Sequence, residues 1–169
     1  TLVDARPAFA SQERFTTADE VITAWPHHYL AAEAAAGRVD SRTVICVLTH
    51  DPKFDIPLLE TALALDVAFI GALGSRRSHA QRVDALLDRG VRPERIAQLH
   101  SPLGLDVGAV TPAEVAVSVL AEVIAARNPA ASHQPLRDTS GPIHQPATVS
   151  KTGKAPAPTK LLQQEIAWT

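Results

Sequence analysis

Three short, uninterrupted apolar segments punctuate the sequence: Thr1–Val3, Thr43–Leu48 (Thr-Val-Ile-Cys-Val-Leu) and Val67–Ile70, rich in β-branched residues and closed by turn formers. Runs without polar alternation suit strands buried on both faces, the condition of a parallel sheet. Ile96–Leu99 is a weaker fourth candidate.

Between these runs lie helical patterns. Asp19–Ala36 carries Val21, Ile22, Tyr29, Leu30 and an alanine run, broken at Pro26 and stopped by Gly37. Asp55 reads as the N-cap of a helix with Pro57 in its first turn and Leu58, Leu59, Ala62 and Leu63 inward. In Ser75–Arg89, Ala80, Val83, Leu86 and Leu87 share one face and Gln81, Arg82, Asp84, Asp88 and Arg89 the other. Thr111-Pro112-Ala113-Glu114 is a capping box with Pro at N1, opening a nearly all-apolar helix to about Ala126, which is expected to be buried. Strand and helix in alternation predict an α/β domain with a parallel sheet flanked by helices and right-handed crossovers.

This domain is expected over residues 1–127. Residues 128–169 hold six of the 13 prolines with much Ser, Thr and Gln. They read as a flexible tail, with a short amphipathic turn at Leu161–Trp168 or mere chain-end sequence. The 169 residues contain no methionine, and Leu2-Val3 resemble the end of a strand. The expectation is a chain that opens inside its domain, with a first strand and its Gly-rich loop upstream. Such an open sheet position would be filled by dimerisation or aggregation.

The net charge of −2 divides into −4 for residues 1–127 and +2 for the tail, which argues against a nucleic-acid footprint. No apolar run approaches the roughly 20 residues of a membrane span. The lone Cys46 cannot form an internal disulfide, so a reducing, cytoplasmic setting is expected. Cys46 itself reads as a small core residue.

In open parallel sheets ligands bind beyond the carboxyl ends of the strands. Those ends carry Asp4-Ala5-Arg6, Thr49-His50-Asp51-Pro52, Gly71-Ala72-Leu73-Gly74-Ser75-Arg76-Arg77 and His100-Ser101-Pro102. Gly71 to Arg77 is a glycine-bearing turn into a helix, able to bring backbone N–H groups and two guanidiniums to an anion. Equally, Ser75 only caps the helix and Arg76 and Arg77 are solvated. His50 beside Asp51 is a general-base or ligand candidate, against an ordinary turn before Pro52. Asp4 stands where a dinucleotide fold places a ribose-binding carboxylate, or in a structural turn before Pro7. Asp106, between Gly104 and Gly108, marks a tight turn, with or without a ligand beside it. His27, His28 and His79 read as surface or interface residues, and no metal-ligand spacing is present.

Taken in order, Leu48-Thr49-His50-Asp51-Pro52-Lys53-Phe54-Asp55, Ile70-Gly71-Ala72-Leu73-Gly74-Ser75-Arg76-Arg77 and Pro102-Leu103-Gly104-Leu105-Asp106-Val107-Gly108-Ala109 with Thr111-Pro112-Ala113-Glu114 resemble the XdhC/CoxI family of xanthine dehydrogenase accessory proteins. The resemblance covers about Thr1 to Ala126, most of that family's C-terminal Rossmann-like domain. It implies a chaperone rather than an enzyme: a protein that binds molybdenum cofactor (molybdopterin), works with a cysteine desulfurase in its sulfuration, and delivers it to xanthine dehydrogenase or another molybdenum hydroxylase. The cofactor site is expected at Asp4, Arg6, His50, Asp51, Gly71, Gly74, Ser75, Arg76, Arg77 and Asp106. Two other readings stay open: an NAD(P)-binding oxidoreductase domain, which needs a Gly-x-Gly-x-x-Gly loop before Thr1, and an interaction module without small ligand.

Overall fold

Each strand of the computed structural model, which describes residues 1–128 and 130–143, pairs only with parallel neighbours. Strands β1 (Leu2–Asp4) and β2 (Val21–Thr23) form one pair, with Val3 opposite Ile22. Strands β3 (Val44–Val47), β4 (Phe69–Ala72) and β5 (Leu99–His100) form a three-stranded sheet in that order. Cys46 lies opposite Gly71, and Gly71 opposite His100. Helix α1 (Pro26–Ala35) leads from β2 to β3, α2 (Pro52–Leu63) from β3 to β4, and α3 (Arg76–Asp88) with the short α4 (Pro93–Ile96) from β4 to β5. Helix α5 (Pro112–Ala126) follows. This is the expected Rossmann-like α/β architecture of parallel strands flanked by helices.

One sheet face is fully dressed. Val47, Ile70, Ala72 and Leu99 pack with Leu30 of α1, Ile56, Leu59, Ala62 and Leu63 of α2, Leu86 of α3 and Ile96 of α4 in one buried cluster. The opposite face carries Val44, Cys46, Phe69, Gly71 and His100. There Phe69 stacks on His100 with ring centroids 4.2 Å apart, and α5 reaches across through Glu122, which meets His100 Nδ1 at 2.9 Å.

Several local expectations are revised. Val21-Ile22 is strand β2, and helix begins only at Pro26, because proline fits the first turn but not a helix interior. The helix after β3 starts at Pro52 and is capped by Asp51, whose carboxylate accepts from Lys53 N, so Asp55 lies inside it. The third strand sits two residues later than expected, and the fourth candidate resolves into α4 followed by β5. Helix α5 has its capping box at Thr111 and Glu114, yet only Ser118 is buried, and Val117, Leu120 and Ile124 are exposed. Cys46 is likewise exposed rather than in the core. Among the described residues beyond Gln134 there is one 3-10 turn, Leu136–Asp138. Leu161–Trp168 lies outside the described residues.

Candidate functional site

The carboxyl ends of β3 and β4 are tied together by a buried ion pair. Arg82, on α3, donates through Nη2 to Asp55 Oδ2 at 2.6 Å and through Nε to the same oxygen at 3.2 Å. Its Nη2 also donates to Leu73 O at 2.9 Å and approaches Thr49 O at 3.4 Å. Thr49 Oγ1 donates to the other Asp55 oxygen. Both charged side chains are almost wholly buried, at 6% and 2% exposure. One guanidinium thus fixes two strand-end loops against each other, with the geometry that a planar, forked donor makes available.

Gly74 is part of the same construction. Its φ of +153° is glycine territory, and a Cβ there would come 2.9 Å from Arg82 Nη1. That nitrogen is buried and has no hydrogen-bond partner among the described residues. Arg82 is also one of the residues lining a pocket of about 90 Å³ between α2 and α3, with His50, Ser78 and Gln81. Helix α3 opens beside it: Ser75 Oγ accepts from Ser78 N at 3.0 Å, while the exposed Arg76 and Arg77 make no ion pair among the described residues. Gly71, by contrast, lies within β4, where a Cβ would come 2.5 Å from Leu103 Cδ1. Its small size serves close packing of the loop after β5.

The end of β1 comes to the same edge. Both Asp4 oxygens accept from the Arg6 side chain, at 2.9 and 2.8 Å, and Arg6 N adds a bond at 2.9 Å. The Arg6 hydrogen bonds hold the Asp4 carboxyl below its usual range, with partial burial opposing them. Arg6 also lies 5.3 Å over the Phe54 ring and within the field of Asp51, which joins β1 to the start of α2. Lys53 adds a second cation, 5.0 Å over Trp25. Asp106 is exposed and has no hydrogen bond or ion pair among the described residues.

Comparison with known proteins gives this arrangement a family. Residues 1–123 match the XdhC Rossmann domain. The chain belongs to that family. It is 34% identical over 94 residues to the molybdenum cofactor insertion chaperone PaoD of Escherichia coli strain K12, covering 56% of this chain and 30% of PaoD. It is 34% identical over 126 residues to a probable xanthine dehydrogenase subunit of Bacillus subtilis strain 168, covering 75% of this chain and 35% of that protein. A crystal structure titled as a xanthine dehydrogenase of Bacillus halodurans aligns with TM-score 0.58 and 29% identity, over 73% of this chain and 34% of that one. The chain spans about a third of the length of these relatives.

In this XdhC domain, then, Asp4, Arg6, His50, Asp51, Gly74, Ser75, Arg76 and Arg77 lie at or just beyond the strand ends, Gly71 lies within the sheet, and Asp106 has no partner among the described residues. Sequence reasoning missed Arg82 and Asp55. The helical pattern turns Arg82 outward and makes Asp55 a cap, yet they form the edge's buried link. Among the described residues no group of three or more His, Cys, Asp or Glu could hold a metal ion, and no helix is long and apolar enough to cross a membrane.

Proposed function

We propose that this domain holds molybdenum cofactor by its phosphate at the β3 and β4 ends and presents it for insertion into xanthine dehydrogenase or a related molybdenum hydroxylase. The observation that carries this reading is the buried Arg82 Nη1, a charged donor left without a partner beneath the Gly74 turn. A buried cation with a spare N–H calls for an anionic acceptor. The pocket that Arg82 helps to line, about 90 Å³, is of a size for a small anionic group and well below the roughly 300 Å³ that enclose a drug-sized ligand. Arg76, Arg77 and His50, at the same edge, would hold the rest of the pterin. The first backbone N–H groups of α3 and its dipole add to the same field.

The charged donors at this edge fit a phosphate, and the molybdenum would be held by the cofactor's own pterin rather than by this chain. When bound, the cofactor supplies the redox-active metal centre of the recipient enzyme. The chain's part is to bind the anion, orient it with a rigid guanidinium and keep the edge preformed. Similarity to a molybdenum cofactor insertion chaperone supports the accessory role. Sulfuration of the cofactor by a cysteine desulfurase would take place on this complex.

The test is anaerobic loading with molybdenum cofactor, passage over a sizing column, and measurement of molybdenum and pterin in the protein peak, with NAD and NADP as parallel ligands. Equal molybdenum and pterin are expected with the native chain. The double variant Arg76→Glu, Arg77→Glu is expected to elute folded and empty. Unchanged retention in that folded variant removes Arg76 and Arg77 from the site, and retained nucleotide without molybdenum replaces the chaperone reading with a dinucleotide-binding one.

A further inference from the structure

Parallel neighbours are ordinarily joined through a helix, yet the connection from β1 to β2, residues 5–20, contains neither helix nor strand. It is ordered all the same. Phe9 N and Ala10 N donate to Arg6 O at 2.9 and 3.2 Å, and Arg14 N and Phe15 N donate to Ser11 O at 3.1 and 3.2 Å. Gln12 Nε2 donates to Ala18 O at 2.9 Å, and Ala10 is buried as an anchor. Long loops without secondary structure are uncommon in compact domains, and ordered ones mostly carry function.

This loop presents a row in which cations and rings alternate. Arg14 Cζ lies 5.7 Å from the centre of the Phe9 ring, and Arg6 Cζ lies 4.3 Å from it. Arg6 also stands over Phe54, as does Lys53 Nζ at 5.3 Å, and Lys53 reaches on to Trp25. The Phe54 and Trp25 rings are 5.2 Å apart. The order along the row is Arg14, Phe9, Arg6, Phe54, Lys53, Trp25, supplied by the loop after β1, the start of α2 and the residue before α1.

Its centre and its ends differ. At the centre Phe54 is buried, and Arg6 is neutralised by Asp4. At the ends the Phe9 and Trp25 rings are 45% and 39% exposed. The exposed Arg14 and Lys53 side chains have no hydrogen bond or ion pair among the described residues. Each end is thus an unpaired cation beside an exposed ring, in a domain whose net charge is −4. An exposed cation–ring contact stabilises a fold by only about 0.5–1 kcal/mol, whereas aromatic residues and arginine are the types that anchor protein interfaces.

We propose that the two ends are twin subsites of a docking surface for an acidic segment of a partner protein. Each takes a carboxylate on its cation and an apolar side chain on its ring. The charge of Arg14 and Lys53 selects the carboxylates, and an exposed row suits an extended polypeptide. Asp4 and Asp51, on either side of Arg6, oppose a continuous polyanion such as a nucleic acid. Because the loop is folded by its own hydrogen bonds, the surface is preformed and the ordering cost of docking is small. Phe54 immediately precedes Asp55, the partner of Arg82, so a segment seated on the row is held next to the pocket proposed for the cofactor. The docking itself does not depend on that cofactor reading.

Trp168→Phe leaves Trp25 as the sole tryptophan of the full chain, and its fluorescence then reports occupancy. The probes are synthetic peptides of two Glu-Ser-Leu units, whose Glu and Leu share one face when extended, joined by Gly-Ser spacers of graded length. Control peptides replace Glu with Gln or Lys, and a single-stranded oligothymidylate is the nucleic-acid probe. Saturable binding of the Glu peptides, weakened by salt, is expected. Arg14→Glu and Lys53→Glu are each expected to weaken it at least about tenfold with circular dichroism unchanged. Arg14→Glu is expected to retain cofactor, and Arg76→Glu, Arg77→Glu to retain peptide, so the two sites fail separately. Absence of saturable binding, equal binding of the Gln peptides, or unchanged affinity in Arg14→Glu overturns the proposal. Tighter binding of the oligothymidylate than of any Glu peptide also overturns it, because the surface is then one for nucleic acid.

Discussion

The two faces of the sheet are finished to different degrees. On the face of α1 to α4, strand residues meet a continuous cluster in which Leu59, Ala62, Leu63 and Leu86 have almost no exposure. On the other, Cys46 and Val44 look into open space and α5 shows an apolar stripe at 60% exposure or more. Apolar composition alone therefore does not make a core; it needs an opposing surface. The difference also separates roles: the dressed face supplies stability and fixes the strand ends, and the bare face contributes little burial of its own.

The largest expected effect lies where the dressed face meets the candidate site. Arg82→Ala leaves Asp55 charged and buried without its cation, and is expected to cost about 3–5 kcal/mol in urea unfolding. The double change Asp55→Leu, Arg82→Met is expected to recover much of that loss while abolishing cofactor retention. A double variant that is stable and still retains cofactor would show that Arg82 only holds the loops. The exposed Arg89–Glu60 pair, at 2.8 Å, offers the contrast: Arg89→Ala is expected to change stability by less than about 1 kcal/mol.

A direct comparison of the faces comes next. Leu59→Ala, in the core cluster, is expected to cost about 2–5 kcal/mol. Leu120→Ala, on the exposed stripe of α5, is expected to stay within about 0.5 kcal/mol in the chain as it stands. Equal costs at Leu59 and Leu120 would show that the stripe is covered rather than exposed.

What can be read from the sequence follows the range of each interaction. The cap of α3 by Ser75 and the capping box of α5 are contacts between residues three apart, and both are legible. The parallel strands are legible in outline because their apolar runs are continuous. β2 is not: Val21-Ile22 is only two apolar residues long and abuts the alanine-rich helix, so its pairing with β1 decides its state. The Asp55–Arg82 link spans 27 residues and sits among the polar positions of an amphipathic helix, where no local pattern marks a buried arginine. The exposure of α5 escapes sequence reasoning because an almost wholly apolar helix is normally buried, and no local pattern marks one whose apolar stripe faces outward. The strand-end edge is legible as a place, and its rigid centre is not.

The smallest effects belong to the α5 cap, where a pH dependence separates charge from hydrogen bonding. Thr111→Ala removes the oxygen that accepts from Glu114 N, and is expected to cost about 1 kcal/mol. On the reciprocal side, Glu114 Oε2 accepts from Thr111 N at 2.7 Å and Val110 N at 2.9 Å. These backbone bonds, that of Thr111 foremost, hold the Glu114 carboxyl below its ordinary value. A carboxyl depressed in the folded state stabilises it fully above the unfolded-state value of about 4.3. That contribution is lost as pH falls through the lower, folded-state value. Glu114→Gln keeps an acceptor and removes the charge, so its stability deficit is expected to be constant from neutral pH down to about 5 and to shrink below about 4.3. Thermal unfolding of native and Glu114→Gln chains across that range checks the point. A deficit unchanged at acid pH would assign the cap to hydrogen-bond geometry alone, with no share from the carboxylate charge at the helix N-terminus.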